Sequence, residues 1–232
     1  MAISDPSTIP KRVREIQARI REAESRHRRA PGSVALLAVS KGHGAEAIRA
    51  AAGAGLTRFG ESYLQEALAK RARLTDLDAE WHFIGPIQSN KTREIAAGFD
   101  WVHGVDRVKV ARRLNDQRAA VLPPLQVCVQ INLSGEAGRS GVAPGDLGDL
   151  TALVRTLPRL RLRGLMGIPA RVTGLAAQRR ALRPLREAFD ALNLAGFALD
   201  TLSMGMTGDL EAAVAEGATL VRIGTGVFGP RG

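Results

Sequence analysis

Lysine is scarce in this chain: of 33 basic residues only five are Lys (Lys11, Lys41, Lys70, Lys91 and Lys109), leaving 28 Arg. Lys41 closes the run Leu36-Leu37-Ala38-Val39-Ser40-Lys41, which reads as a buried strand, and the chain then breaks into Gly42-His43-Gly44. An ammonium at such a tip, held against an apolar interior, is poorly solvated, which favours the neutral amine and its attack on a carbonyl carbon. The other reading is a lysine whose stem lies along the apolar rim while its charge reaches water.

The far end of the chain carries two small-residue segments, Ser203-Met204-Gly205-Met206-Thr207-Gly208-Asp209 and Gly224-Thr225-Gly226. Ser203 offers a hydroxyl, and Thr207 or Asp209 is placed to start a helix. Gly224, Thr225 and Gly226 offer backbone N–H groups that can curl round an anion, although glycines also simply make tight turns. Arg222, two residues before Gly224, shares its face of the strand. An inward Arg needs a partner: either a barrel carboxylate such as Glu61, or a ligand atom such as the pyridine nitrogen of pyridoxal phosphate. Lysine, phosphate cradle and guanidinium together suit a phosphorylated carbonyl compound.

Those residues need a scaffold, and the hydrophobic periodicity supplies one. Ile9, Val13, Ile16 and Ile20 recur at helical spacing, predicting an N-terminal helix over about 7–29. From residue 34 onward eight short apolar segments alternate with seven longer helical ones. That alternation implies a parallel sheet, since parallel neighbours need crossovers. The count of eight predicts a (β/α)8 barrel over about 33–229, with a doubly wound open sheet as the competing architecture. No Pro/Gly/Ser-rich linker divides 1–232, so a single domain is expected, with the Gly-rich stretch from residue 134 to 146 read as a loop after the fifth strand. In a barrel the chemistry sits at the carboxyl ends of the strands, and the loops after strands seven and eight are the usual phosphate site. Lys41 falls at the first of these ends; the two small-residue segments fall at the last two.

Bulk properties narrow the function. A net charge of +10 raises nucleic acid as a partner, but the Arg are spread along the chain and aromatic residues total only 4%, too few for base-stacking platforms. No nucleic-acid partner is expected. No apolar run is long enough to span a membrane, and the N-terminus lacks the pattern of a secretory signal. The lone Cys128 cannot pair within the chain and reads as a small core hydrophobe, so a reducing cytoplasm is the expected setting. His82 and His103 read as barrel-facing or core residues, His27 as surface, and no metal site is expected.

The motifs Leu36 to Lys41, Phe59-Gly60-Glu61, Trp81 to Lys91, Val102 to Asp106, Leu202 to Ala218 and Val221 to Gly229, in this order, resemble the pyridoxal-phosphate homeostasis family, with the fold of the alanine racemase N-terminal domain. The resemblance implies that Lys41 carries pyridoxal 5'-phosphate as an internal aldimine. It implies phosphate contacts from Ser203, Gly224 and Thr225, with Gly205, Thr207 and Gly226 nearby, and Arg222 at the pyridine nitrogen. Three positions depart from the family pattern: Ser62 replaces an Asn, Pro86 a His, and Gly42 the Thr that commonly follows the lysine.

Two functions compete. An amino-acid racemase needs an acid/base on each face of the cofactor, and in the alanine racemases a tyrosine from a second domain supplies one of them. This chain is expected to lack that domain, and its one tyrosine, Tyr63, starts the helix after the second strand. A cationic Arg222 at the ring nitrogen also weakens the ring as an electron sink. A carrier that holds the cofactor and hands it over to apo-enzymes is therefore the expected function. It is predicted to be a monomer with no catalytic residues. An aldolase acting on a phosphorylated sugar fits the bare geometry but not the motifs.

Overall fold

A computed structural model of the chain describes residues 6–133, 138 and 140–230. After a 3-10 turn at Pro6–Thr8 comes α1 (Ile9–Arg26). Strands and helices then alternate: β1 (Ala35–Val39), α2 (Ala45–Gly53), β2 (Arg58–Glu61), α3 (Leu64–Ala72), β3 (Glu80–Phe83), α4 (Thr92–Gly98), β4 (Trp101–Val105) and α5 (Val108–Gln117). The second half continues with β5 (Leu125–Ile131), α6 (Leu147–Thr156), β6 (Leu160–Gly167), α7 (Leu175–Leu194), β7 (Thr201–Ser203), α8 (Leu210–Ala215), β8 (Leu220–Ile223) and a short α9 (Thr225–Phe228). Every strand pairs in parallel with the next, and β8 pairs with β1, so the sheet closes into the eight-stranded barrel that the alternation predicts. Of the Gly-rich stretch after β5, residues 134–137 and 139 lie outside the described residues.

Strand alternation sorts side chains to two faces. Phe59, Phe83 and Val102 point outward into the large core between barrel and helices. Facing inward are Leu37, paired with Arg222; His82, paired with Gly60 and Trp101; and Ser203, paired with Met166. Trp101, Cys128 and Met166 form a separate apolar cluster inside the barrel. The barrel interior is thus part apolar plug and part polar.

α1 buries Ile9, Val13, Ile16, Ile20 and Ala23 against α8 and α9, with α2 alongside. Arg19 reinforces this seam with a fork onto Glu211, its Nε at 2.9 Å from Oε1 and its Nη2 at 3.0 Å from Oε2. The extra helix therefore braces the β8 side of the barrel, where the second small-residue segment lies. Among the described residues no helix is long and apolar enough to cross a membrane.

Candidate functional site

A cavity of about 650 Å³ opens at the carboxyl ends of the strands. Val39, Lys41 and His43 line it from the β1 side, and Arg222, Gly224 and Thr225 from the β8 side. Met206 to Asp209 and the segment from Ile168 to Thr173 complete the wall.

The loop that presents Lys41 is fixed from below. Gly42 has φ +76°, a left-handed conformation that glycine adopts without penalty, and its N–H donates to Glu66 Oε1 at 2.7 Å. On the other side of Lys41, the Ser40 hydroxyl donates to Glu61 Oε1 at 2.6 Å. Lys70 joins the two halves, donating to the Ser40 carbonyl at 2.8 Å and to Glu61 Oε1 at 2.7 Å while pairing with Glu66. Glu66 and Lys70 stand one helical turn apart on α3, so a single helix face clamps both residues that flank Lys41. Burial drives the Glu61 carboxyl above its ordinary range, against the pull of Lys70 and Ser40.

Arg222 forms the floor. It is 5% exposed, and its Nη1 donates to the Ser203 carbonyl at 2.6 Å and to Ser203 Oγ at 2.8 Å, while Nη2 donates to the Gly167 carbonyl at 3.0 Å. Among the described residues no carboxylate pairs with it directly; the Glu61 partnership considered from the sequence is overturned, because Glu61 is committed to Lys70 and Ser40. Burial lowers the guanidinium to about 10, which leaves it cationic at neutral pH. A buried cation held by neutral oxygens, with two of its five N–H groups beyond these three bonds, has donor capacity to offer a ligand in the cavity.

Of the sequence-predicted residues, Lys41, Thr207, Arg222, Gly224 and Thr225 line the cavity. Ser203, Gly205 and Gly226 are not among its lining residues. Ser203 is fully buried under the floor, its hydroxyl shared between Arg222 and His103, whose Nδ1 is 2.9 Å away. Gly205, at φ +94°, lets the chain turn close to Ala213, and its carbonyl accepts the Arg222 N–H at 2.9 Å. Gly226 packs where a Cβ would lie 2.8 Å from Ile16 Cδ1, and its N–H donates to Thr207 Oγ1 at 3.2 Å. These three hold the wall in shape from behind.

His43 and the segment from Ile168 to Thr173 escaped the sequence reading as cavity residues. The strand tip at Gly167-Ile168-Pro169 is visible in the sequence; the path of the loop beyond it is not. His43 carries a signal only in hindsight of the turn: two residues past Lys41, it stacks on Phe228 with ring centroids 5.2 Å apart. Of the three departures from the family pattern, Ser62 lines the main cavity and Pro86 a neighbouring one of about 210 Å³, while Gly42 makes the left-handed turn. Among the described residues no group of three or more His, Cys, Asp or Glu is placed to hold a metal ion.

Residues 12–232 match the model of the family described as alanine racemase, N-terminal domain. The pyridoxal phosphate homeostasis protein of Pseudomonas aeruginosa is 60% identical over 225 residues, covering 97% of this chain and 96% of that protein. Its counterpart in Escherichia coli is 49% identical over 220 residues, with 94% of each chain covered. Among solved structures, PipY of Synechococcus elongatus with PLP bound superposes with a TM-score of 0.80 at 40% identity, over 90% of this chain and all of that one. An alanine racemase from Corynebacterium glutamicum shares the fold at a TM-score of 0.72 and 16% identity, and the match spans 97% of this chain but 61% of the racemase.

Proposed function

The chain belongs to the pyridoxal phosphate homeostasis proteins of the alanine racemase N-terminal-domain family, and from that premise we propose that it holds pyridoxal 5'-phosphate on Lys41 and buffers or supplies it to apo-enzymes. The observation that carries this reading is the meeting, in one cavity, of Lys41 from the end of β1 with Arg222, Gly224 and Thr225 from the adjacent β8. The residues present fit the cofactor: an amine for its aldehyde, a buried donor-only cation for its ring nitrogen, and a hydroxyl with small-residue backbone for its phosphate.

Bound, the cofactor supplies an aldehyde for covalent capture and a conjugated ring that can take up an electron pair. Lys41 would supply the amine that captures the aldehyde, a condensation that releases the carbonyl oxygen as water and needs no oxidant or reductant. Arg222 would donate to the pyridine nitrogen, and its positive charge would oppose protonation there. Thr225 and Thr207 hydroxyls and the backbone at Gly224 and Thr225 would hold the phosphate. Ser203, Gly205 and Gly226 keep those groups in place.

A carrier needs only these parts, and it works as a monomer in this reading. Tyr63 is 55% exposed and is not among the cavity-lining residues, which supports the carrier over a two-base racemase. One observation favours the competing reading: His43 lines the cavity beside Lys41 and is an imidazole that could serve as a second acid/base. Titration with pyridoxal phosphate, followed by absorbance, tests binding: saturable binding is expected, and its loss in Lys41→Ala. Incubation of the loaded protein with L- or D-alanine and chiral analysis tests the rest. Rapid racemisation, abolished by His43→Ala, would overturn the carrier.

A further inference from the structure

The barrel interior holds a continuous polar chain that the cavity geometry does not use directly. Glu80 opens β3 at the opposite end of the barrel from the cavity, and its Oε1 lies 2.9 Å from His82 Nε2. His82 Nδ1 lies 2.9 Å from His103 Nε2, and His103 Nδ1 lies 2.9 Å from Ser203 Oγ, which accepts from Arg222. His82, His103 and Ser203 are all fully buried, while the Glu80 side chain is 38% exposed and also receives Arg58 Nε at 3.1 Å.

Chemistry fixes the direction of every bond. Burial holds both imidazoles below the ordinary histidine range, so each is neutral and has one donor and one acceptor nitrogen. The Glu80 carboxylate can only accept, so His82 carries its proton on Nε2. His82 Nδ1 must then accept, so His103 donates from Nε2. His103 Nδ1 must accept in turn, so the Ser203 hydroxyl donates to it, which leaves Ser203 Oγ free only to accept from Arg222. All four bonds run the same way, from a cation under the cavity to an anion at the far mouth, and bonds aligned head to tail polarise one another.

We propose that Glu80, His82, His103 and Ser203 form a one-way hydrogen-bond relay that positions Arg222 as a fixed donor beneath the cavity. They are positioning residues; none of the four is among the cavity-lining residues. The relay spends the Ser203 proton on His103, so Arg222 always meets an acceptor and keeps its remaining N–H edge for the ligand. The effect on the cofactor rests on the proposed binding of pyridoxal phosphate, whereas the internal order of the relay does not.

Two measurements separate these. In the cofactor-free protein, nitrogen-15 spectra of the histidine rings should show His82 and His103 neutral at pH 7 with the proton on Nε2 in both. A charged ring, or a proton on Nδ1 of either, would overturn the relay. In the loaded protein, His103→Leu removes both links, and the loss of a bond to a charged network is expected to weaken cofactor binding roughly tenfold and to shift the absorbance of the bound cofactor. His103→Gln, with one amide donor and one acceptor, should restore most of both. A folded His103→Leu protein with unchanged affinity and spectrum would overturn the relay. If that variant fails to fold, Glu80→Ala against Glu80→Gln, altered at the exposed end, reads the same contrast. Absence of any binding by the unaltered protein would instead sink the proposed function, and the ring spectra would still decide the relay.

Discussion

Lys70 Nζ lies 2.7 Å from Glu61 Oε1, with 8% and 0% of the two side chains exposed. Neither residue lines the cavity, yet between them they hold Ser40 directly and, through Glu66, Gly42. Breaking one side of a buried pair leaves an uncompensated charge, whereas removing both can be close to neutral. The pair therefore serves to place Lys41 more than to stabilise the fold.

Lys70→Met is expected to destabilise the protein by about 3–5 kcal/mol, because the Glu61 carboxylate loses its counter-charge in a dry site. Glu61→Gln in the same background should recover most of that loss. Denaturant titration of the two single variants and the double variant measures the coupling.

Gly42→Thr, which restores the residue common in the family, is expected to cost about 1–2 kcal/mol, since φ is +76° and a side chain is strained there. It should also weaken cofactor binding, because the Gly42 N–H to Glu66 bond sets the path of the loop next to Lys41. Thermal melting and cofactor titration check the two effects separately.

The barrel and the ends of its lining were legible in the sequence because both depend on local pattern. Apolar runs broken at Gly or Pro mark strand tips, and the tip positions of Lys41, Gly224 and Thr225 follow directly. What the sequence hides is register. Ser203 reads as a free hydroxyl in a phosphate loop; only the cross-strand pairing of Ser203 with Met166, and of His82 with Gly60 and Trp101, turns it and the two histidines into one interior chain. Likewise Glu66 and Lys70, four apart, look like an ordinary solvated helix pair, and nothing local says that Ser40 and Glu61 lie under them.

Stability should fall with acid in two stages. His82 and His103, held down by burial, take up fewer protons folded than unfolded, so their contribution is complete above the unfolded value of 6.5 and is lost as pH falls below it toward their folded values. Glu80, drawn down to about 2 chiefly by the hydrogen bond from His82 and against the opposing effect of burial, adds a second loss between its ordinary 4.5 and about 2. Denaturation midpoints measured from pH 7.5 down to pH 5 should decline in the unaltered protein. The decline should be smaller in His103→Gln.

The Cys128 thiol is pushed up to about 12 by burial inside the barrel, so almost no thiolate exists at pH 8. Alkylation of the native protein at that pH is expected to be negligible over hours and to become complete within minutes in denaturant. Mass spectrometry of the modified chain reads both.

The covalent anchor proposed for the cofactor is Lys41. Borohydride reduces a carbon–nitrogen double bond between lysine and cofactor to a stable amine, and peptide mapping then locates the attachment. With pyridoxal phosphate at one equivalent, the label is expected on Lys41 and absent from Lys11, Lys70, Lys91 and Lys109. Label on one of those four in place of Lys41, or no label at saturating cofactor, would show that Lys41 is not the anchor.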